Sequence, residues 1–513
     1  LENVSKIYFE NRDKIISQKS QMEIVFKDLN KKNAILKQSL EPFVEKILQY
    51  LDNENGGFKG SPKFPHFYMF DTIYYFYEKN KNEKFLKPVE KLLENISSRG
   101  IYDHLEGGIS RYTVDEKWII PHFEKMLYDN VQYVNLLSQY INSKENSNLK
   151  SKLIQTINFI NREFITKEYL LGSAYDADSE GIEGKYYIWK YDQIKKIIGE
   201  DINLFKVKYN ISENGNFEGS NILVQNLNIK LNQDQKNKII ELEKKLLNER
   251  KKRIKPLFDD KVQTDLNSYW LYSNLQSSLV LKDKNLLKNT KNKIDILFKK
   301  NSQRIFHCYD KKDEEIDVFL EDYCYLCLLL ISNYEINGDI KSLKKCTDLI
   351  NEAWELFFNE EIKLLQKNKI KNNDLFINPI DISDNNIPNG NSIFLLIINK
   401  LYDITEEDKW LNKCKILSQS FHSLINDNFS QMFSYLKILD MIEEKITITI
   451  HGRVNNYEEL LFNVFNKFFG KASIIHKEST DNFFVIICKN QTCSKKLENI
   501  DEIKQYMREK LSL

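Results

Sequence analysis

Apolar positions recur every three to four residues along most of the chain, the spacing that keeps one face of an α-helix out of water. Phe43, Val44, Ile47, Leu48 and Leu51 form one such stripe, and Met126, Leu127, Val131, Val134 and Leu137 another. The stretch from Phe319 to Tyr334 forms a third. Turn-rich breaks separate the stripes at the pace of antiparallel helical hairpins, so the pattern predicts a mostly α fold. A short alternation at Lys185-Tyr186-Tyr187-Ile188-Trp189 interrupts the rhythm and reads as a strand. Beyond about residue 440 the rhythm changes. Ile446 to Ile450, Ala472 to Ile475 and Phe483 to Ile487 alternate with helical stretches, predicting a small α/β appendage over 441–513.

Composition narrows the picture. At 513 residues and 42% hydrophobic content the chain can bury a large core. Seventy-five basic residues face 74 acidic ones, a net charge of +1 that builds no field for nucleic acid. The longest apolar runs, Leu326 to Ile331 and Phe394 to Ile398, are too short to span a bilayer, so no membrane partner is expected. A charged N-terminal stretch and seven cysteines fit reduced thiols in the cytoplasm. Cys324-Tyr325-Leu326-Cys327 has redox spacing but lies within an apolar helical stripe, so buried structural thiols are expected there.

Chemistry collects where glycine does. Of 16 glycines, twelve fall between Gly56 and Gly219, which points to the loops of the first half. Four segments combine glycine, charge and aromatics: Gly56 to Pro65, Gly100 to Tyr112, Trp118 to Asp129, and Ala174 to Lys185. Pro121 suits the first position of a helix, which would put His122 and Glu124 in its first turn. There the helix dipole favours an ionised Glu124 and a neutral His122, the state a general base needs. Glu124 is equally readable as an acid that complements the dipole, and His122 as a hydrogen-bonded core residue. Asp103 and His104 sit between a helix end at Gly100 and the pair Gly107-Gly108, either as a polar loop mouth or as an aspartate-stabilised turn. Arg111 and Tyr112 follow, and an arginine there is suited to hold a carboxylate or phosphate. Lys63, flanked by Pro62 and Pro65, is a candidate ligand contact in a rigid loop. Asp176, Asp178, Glu180 and Gly181 match the opening of a calcium loop, but Tyr187 stands where the bidentate acid belongs. No metal and no cofactor are expected, and Asp176 and Asp178 read better as carboxylates facing a sugar.

In this order and spacing, the four segments resemble the bacterial YyaL and animal spermatogenesis-associated-protein-twenty family. The resemblance continues through Gly215 to Gly219, Asp259 to Val262, Leu320 to Tyr323 and Pro388 to Ser392, and ends at Cys488 and Cys493. It implies an (α/α)6 six-hairpin barrel, similar to N-acylglucosamine epimerases, over residues 29–440. Leu1 to about Asp28 resembles the last helix and linker of a thioredoxin-like domain, a potential partner of the barrel. Cys488 and Cys493, which the resemblance includes, either pair or serve that domain.

Three functions follow from this reading: a carbohydrate epimerase or isomerase, a glycoside hydrolase of the same fold, and a non-catalytic scaffold for a thioredoxin-like partner. In the first, His122 and His104 act as base and acid, with Asp103, Glu124, Asp176 and Asp178 orienting the hydroxyls of a small sugar. Lys63 and Arg111 bind it, and Tyr102, Tyr112 and Trp118 form the aromatic walls of one polar pocket of sugar size.

Overall fold

In the computed structural model the described residues are 39–227, 229–309, 317–369, 380–452, 457–478, 483–490 and 492–511. The expectation for Leu1 to Asp28 lies outside them. The chain divides into two compact units, one built mainly from residues 44–316 and the other mainly from 317–455 and 470–512.

The first unit is a run of helical hairpins: α1 (Phe67–Asn80) with α2 (Glu83–Ser98), α3 (Leu127–Ser143) with α4 (Ser147–Glu163), and α8 (Thr264–Leu281) with α9 (Lys284–Lys300). The members of a pair differ in kind. From Leu127 to Tyr140 every residue of α3 is buried, whereas α9 buries only Leu287, Thr290, Ile294 and Leu297. Helix α3 packs on both α1 and α8, and each of the three carries its amphipathic partner beside it. Between α4 and α8 lie the shorter α5 (Tyr191–Ile198) and α6 (Ile202–Lys208), then α7 (Gln233–Arg250). These three pack around Ile194, Phe205, Tyr209, Leu242 and Leu246.

The second unit repeats the theme with α10 (Leu320–Asn337) and α11 (Ile340–Phe357), α12 (Gly390–Thr405) and α13 (Asp408–Asn428), then α14 (Phe433–Glu443). Buried Lys400 and Glu335 bridge α12 and α10 at 2.5 Å. The appendage is a four-stranded sheet whose strands lie side by side in the order Ser473–Lys477, Ile446–His451, Phe484–Lys489 and Thr492–Cys493. The pattern beyond residue 440 is therefore α/β, as the alternation predicts. No helix among the described residues is long and apolar enough to cross a membrane.

A local rule closes several of the hairpins. The first helix ends on a left-handed residue, Lys81, Lys282 or Gly338, and the next residue, Asn82, Asp283 or Asp339, caps the second helix with its side chain.

Two local expectations are corrected. Residues 185–187 form a turn and not a strand, with Trp189 in an isolated bridge to Asn221. Gly184 forces this: at φ 72° it packs against Phe123, and a Cβ there would sit 2.3 Å from that ring. Among the cysteines, Cys308, Cys324, Cys327, Cys346 and Cys414 are buried outside any disulfide, but Cys488 and Cys493 form a disulfide between the last two strands of the sheet. Burial pushes the Cys324 and Cys327 thiols well up, which makes them poor nucleophiles.

Candidate functional site

The loop from Arg99 to Met126 is held by close backbone approach. Gly108 has φ 80°, and a Cβ there would come within 2.4 Å of the Phe159 ring. Asn130 of α3 then clamps Ile109, accepting from its amide at 2.8 Å and donating to its carbonyl at 3.0 Å. Beyond the clamp the chain doubles back on itself. The Arg111 amide donates to the Glu124 carbonyl, the His122 amide to Tyr112, and the Val114 amide to Ile120. Residues 121–124 are thus extended, and α3 begins only at Leu127, after β1 (Lys125–Met126) pairs with β2 (Ala174–Tyr175). The helix expected at Pro121 does not form, because its amides and carbonyls are spent on the facing strand. The acidic residue in a first helical turn is Asp129 instead, and neither His122 nor Glu124 lies in the helix.

The sequence candidates separate into an interior set and a mouth set. Asp103 lies in the interior, in a buried ion network. Arg250, at the end of α7, grips both of its oxygens at 2.9 Å, and the Lys125 ammonium donates to Oδ2 at 2.8 Å. Arg250 also reaches Glu106 at 3.1 Å. Burial alone would raise the Asp103 pKa, but Arg250 and Lys125 hold it well below the usual carboxylate range. His104 is buried beside it, its Nε2 2.9 Å from the Arg99 carbonyl and its Nδ1 3.4 Å from the Lys152 ammonium. Burial and Lys152 depress the imidazole well below its ordinary pKa, so it is neutral. Tyr102 is buried over Lys152 and hydrogen-bonds Gln155 at 2.9 Å. Tyr102, Asp103, His104, Lys125 and Arg250 border a cavity of about 30 Å³, water-sized and too small for a sugar. Lys63 and Trp118 are also interior. The Lys63 ammonium pairs with Asp52 at 2.6 Å and reaches the Glu116 carbonyl at 2.9 Å, while the Trp118 indole donates to Asn55 at 2.9 Å.

Arg111, Tyr112, His122 and Glu124 are partly exposed and come together at the mouth. Arg111 pairs with Glu124 at 3.1 Å, and its guanidinium lies over the Tyr128 ring. The His122 Nδ1 is 2.7 Å from Glu183 Oε1, and no described residue hydrogen-bonds its Nε2. The His122 ring stacks on Tyr112 at 4.9 Å, and Tyr112 stacks on Phe64 at 4.7 Å. His66, the left-handed cap of α1, packs against Phe64 in turn.

Asp176 and Asp178 are exposed, and the acidic run around them is a tight hairpin. Its strands are β3 (Asp178–Ser179) and β4 (Ile182–Glu183). Glu180 and Gly181 both have positive φ, the two-residue turn that a right-twisted hairpin favours. The calcium-like spacing is therefore the spelling of this turn, whose second strand brings Glu183 to His122.

Sequence reasoning missed Glu183, Tyr128 and Asp129. Glu183 is 61 residues from His122, and no local pattern links them. Asp129 did leave a signal: it is the only charged residue in the α3 sequence.

No family model matches the chain. It is 23% identical over 532 residues to an uncharacterized protein of Caenorhabditis elegans, covering 88% of this chain and 71% of that protein. It is 24% identical over 421 residues to human spermatogenesis-associated protein 20, covering 72% of this chain and 54% of the relative, and 24% identical over 428 residues to the mouse protein. The chain thus spans about half the length of the mammalian relatives. Among solved structures, D-mannose isomerase superposes with a TM-score of 0.50 at 11% identity, over 76% of this chain and 87% of the other. That likeness shows a shared α/α-barrel fold. A cellobiose 2-epimerase of Bacillus thermoamylovorans B4167 matches at a TM-score of 0.47 and 13% identity, covering 78% of this chain and 86% of that one.

Proposed function

We propose that this chain, a homologue of spermatogenesis-associated protein 20 on the fold of D-mannose isomerase, processes a small sugar at the mouth around His122, as an epimerase or isomerase. The observation that carries the reading is the His122–Glu183 contact at 2.7 Å. It leaves Nε2 free and orients the ring, the arrangement of a general base held by a carboxylate. Tyr112 fixes the plane of the imidazole from one side, and Arg111 offers donors to a sugar oxygen. The base would take a proton from a carbon beside a carbonyl and return it to the other face or to the neighbouring carbon.

The test is proton NMR of D-mannose in heavy water with the full chain. Exchange or conversion at C2 is expected. His122→Ala should lower the rate by about 10²–10⁴-fold and leave the melting temperature unchanged, since its ring is partly exposed. Full activity in His122→Ala would sink the assignment, and unfolding of the variant would make His122 a structural residue.

A further inference from the structure

We propose that Asp129 is a second catalytic residue of the mouth, an acid that hydrogen-bonds the sugar and gives its proton to the sugar oxygen while His122 works on the adjacent carbon. The inference rests on the sugar-processing reading of the mouth and names the group that reading lacks. His104, the acid suggested by sequence, lies in the interior beside Lys152.

The geometry points to Asp129 in three ways. Its side chain is 9% exposed, and its Oδ2 is buried with no hydrogen-bond partner. The preceding residue, Tyr128, is buried, and its hydroxyl has the Arg111 guanidinium as hydrogen-bonding neighbour. An orphaned carboxylate oxygen in the first turn of a helix is costly in a folded protein, and a ligand that satisfies it would remove that cost. Arg111, which lies over the Tyr128 ring, bonds Glu124 and acts electrostatically on Asp129, places that orphan beside the residues already assigned to the mouth. Finally, burial raises the Asp129 carboxyl well above the usual carboxylate range, against the pull of Arg111 and with the help of Glu124. The direction of that shift favours the protonated form, the one that can donate.

The step balances without any further reagent. Nε2 of His122 takes the proton from the carbon next to the carbonyl, and the C–H electron pair becomes a carbon–carbon double bond. The carbonyl π pair moves to oxygen, which takes the Asp129 proton. The result is a neutral enediol, an imidazolium and a carboxylate. Return of both protons, to the opposite face or the neighbouring carbon and to Asp129, completes an epimerisation or an isomerisation.

The experiment follows the Asp129 carboxyl directly, by carbon NMR of the full chain labelled with carboxyl-¹³C aspartate and assigned by difference from Asp129→Asn. The resonance is expected to shift when excess D-mannose is added and to stay in place with glycerol. Asp129→Asn should lower the D-mannose rate by about 10²-fold or more and remove the alkaline limb of the pH–rate profile, and Asp129→Glu should restore part of the rate. A resonance unmoved by D-mannose, or an Asp129→Asn enzyme with an unchanged rate and pH profile, overturns the proposal. If His122→Ala alone abolishes turnover, the sugar-processing reading survives that loss. A shifted resonance in a wild-type protein that turns over no D-mannose keeps Asp129 as a sugar contact and removes the isomerase reading.

Discussion

Two groups of charged residues descend from the same glycine-rich loop, and they differ in how completely their hydrogen bonds are met. Around Asp103 both carboxylate oxygens are taken, by Arg250 and Lys125, and Glu106 adds a second acid to the network, whose one orphan is a donor, the Arg250 Nε. Around Arg111 the bookkeeping is open: Glu124 is paired, but Asp129 leaves an orphaned oxygen, and His122 presents a free Nε2. The residue types in the two groups are nearly the same. A carboxylate with both oxygens met holds a loop in place, whereas an orphaned one beside partly exposed aromatics has capacity left for a ligand.

The largest effect that would break this comparison lies in the saturated group. Arg250→Met leaves Asp103 and Glu106 buried without their main cation, and should cost about 3–5 kcal/mol. Urea denaturation of the full chain measures it. If Asp103 is a ligand-facing acid and not an anchor, the variant will instead keep its stability and lose only activity.

A smaller effect concerns Lys152, the buried ammonium 4.1 Å over the Tyr102 ring, whose pKa burial pushes down to about 7. An unfolded lysine titrates near 10.4. Between about pH 7 and pH 10 the unfolded chain therefore binds more protons at this position, so its contribution to stability rises with pH across that window. Glu243, raised by burial and bonded to Tyr209 at 2.5 Å, has the opposite sign: its stabilisation is present at low pH and lost as pH rises through its folded pKa. Lys152→Met should flatten the rise and be at least as stable as the wild type near pH 7. Urea midpoints across that range check both statements, and a variant that unfolds would show the ammonium to be an essential partner.

The smallest effect sharpens the comparison from the mouth side. Tyr128→Phe removes a hydroxyl whose hydrogen-bonding neighbour is the partly exposed Arg111, so stability should fall by no more than about 1 kcal/mol. The KM for D-mannose should rise by roughly two- to tenfold, the value of one hydrogen bond. A clear loss of stability with an unchanged KM would move Tyr128 into the saturated class.

Much of the fold was legible because helical signals are local. The stripe from Met126 to Leu137, the run from Phe319 to Tyr334 and the alternations after residue 440 each encode their own period, and the structure realises each of them. The failures were equally local in cause. Pro121 has the chemistry of a helix start, but the facing segment around Tyr112 offers its backbone first, and a hydrogen bond spent across the loop is not available along it. The Lys185 to Trp189 alternation has strand composition, yet Gly184 turns the chain against Phe123.

By itself the sequence determined the helical hairpin architecture, the concentration of chemistry in the loops of the first half, and the presence of Arg111, Tyr112, His122 and Glu124 among its candidates. Only the tertiary structure decided which candidates are buried in ion networks and which stay partly exposed. Asp103 meets Arg250 across 147 residues and His122 meets Glu183 across 61, and in each case the partner sets the role. Periodicity is a property of neighbours along the chain, so a sequence can state it. Whether a carboxylate is saturated or orphaned depends on groups that folding brings from far away, and no spacing within a motif contains that information.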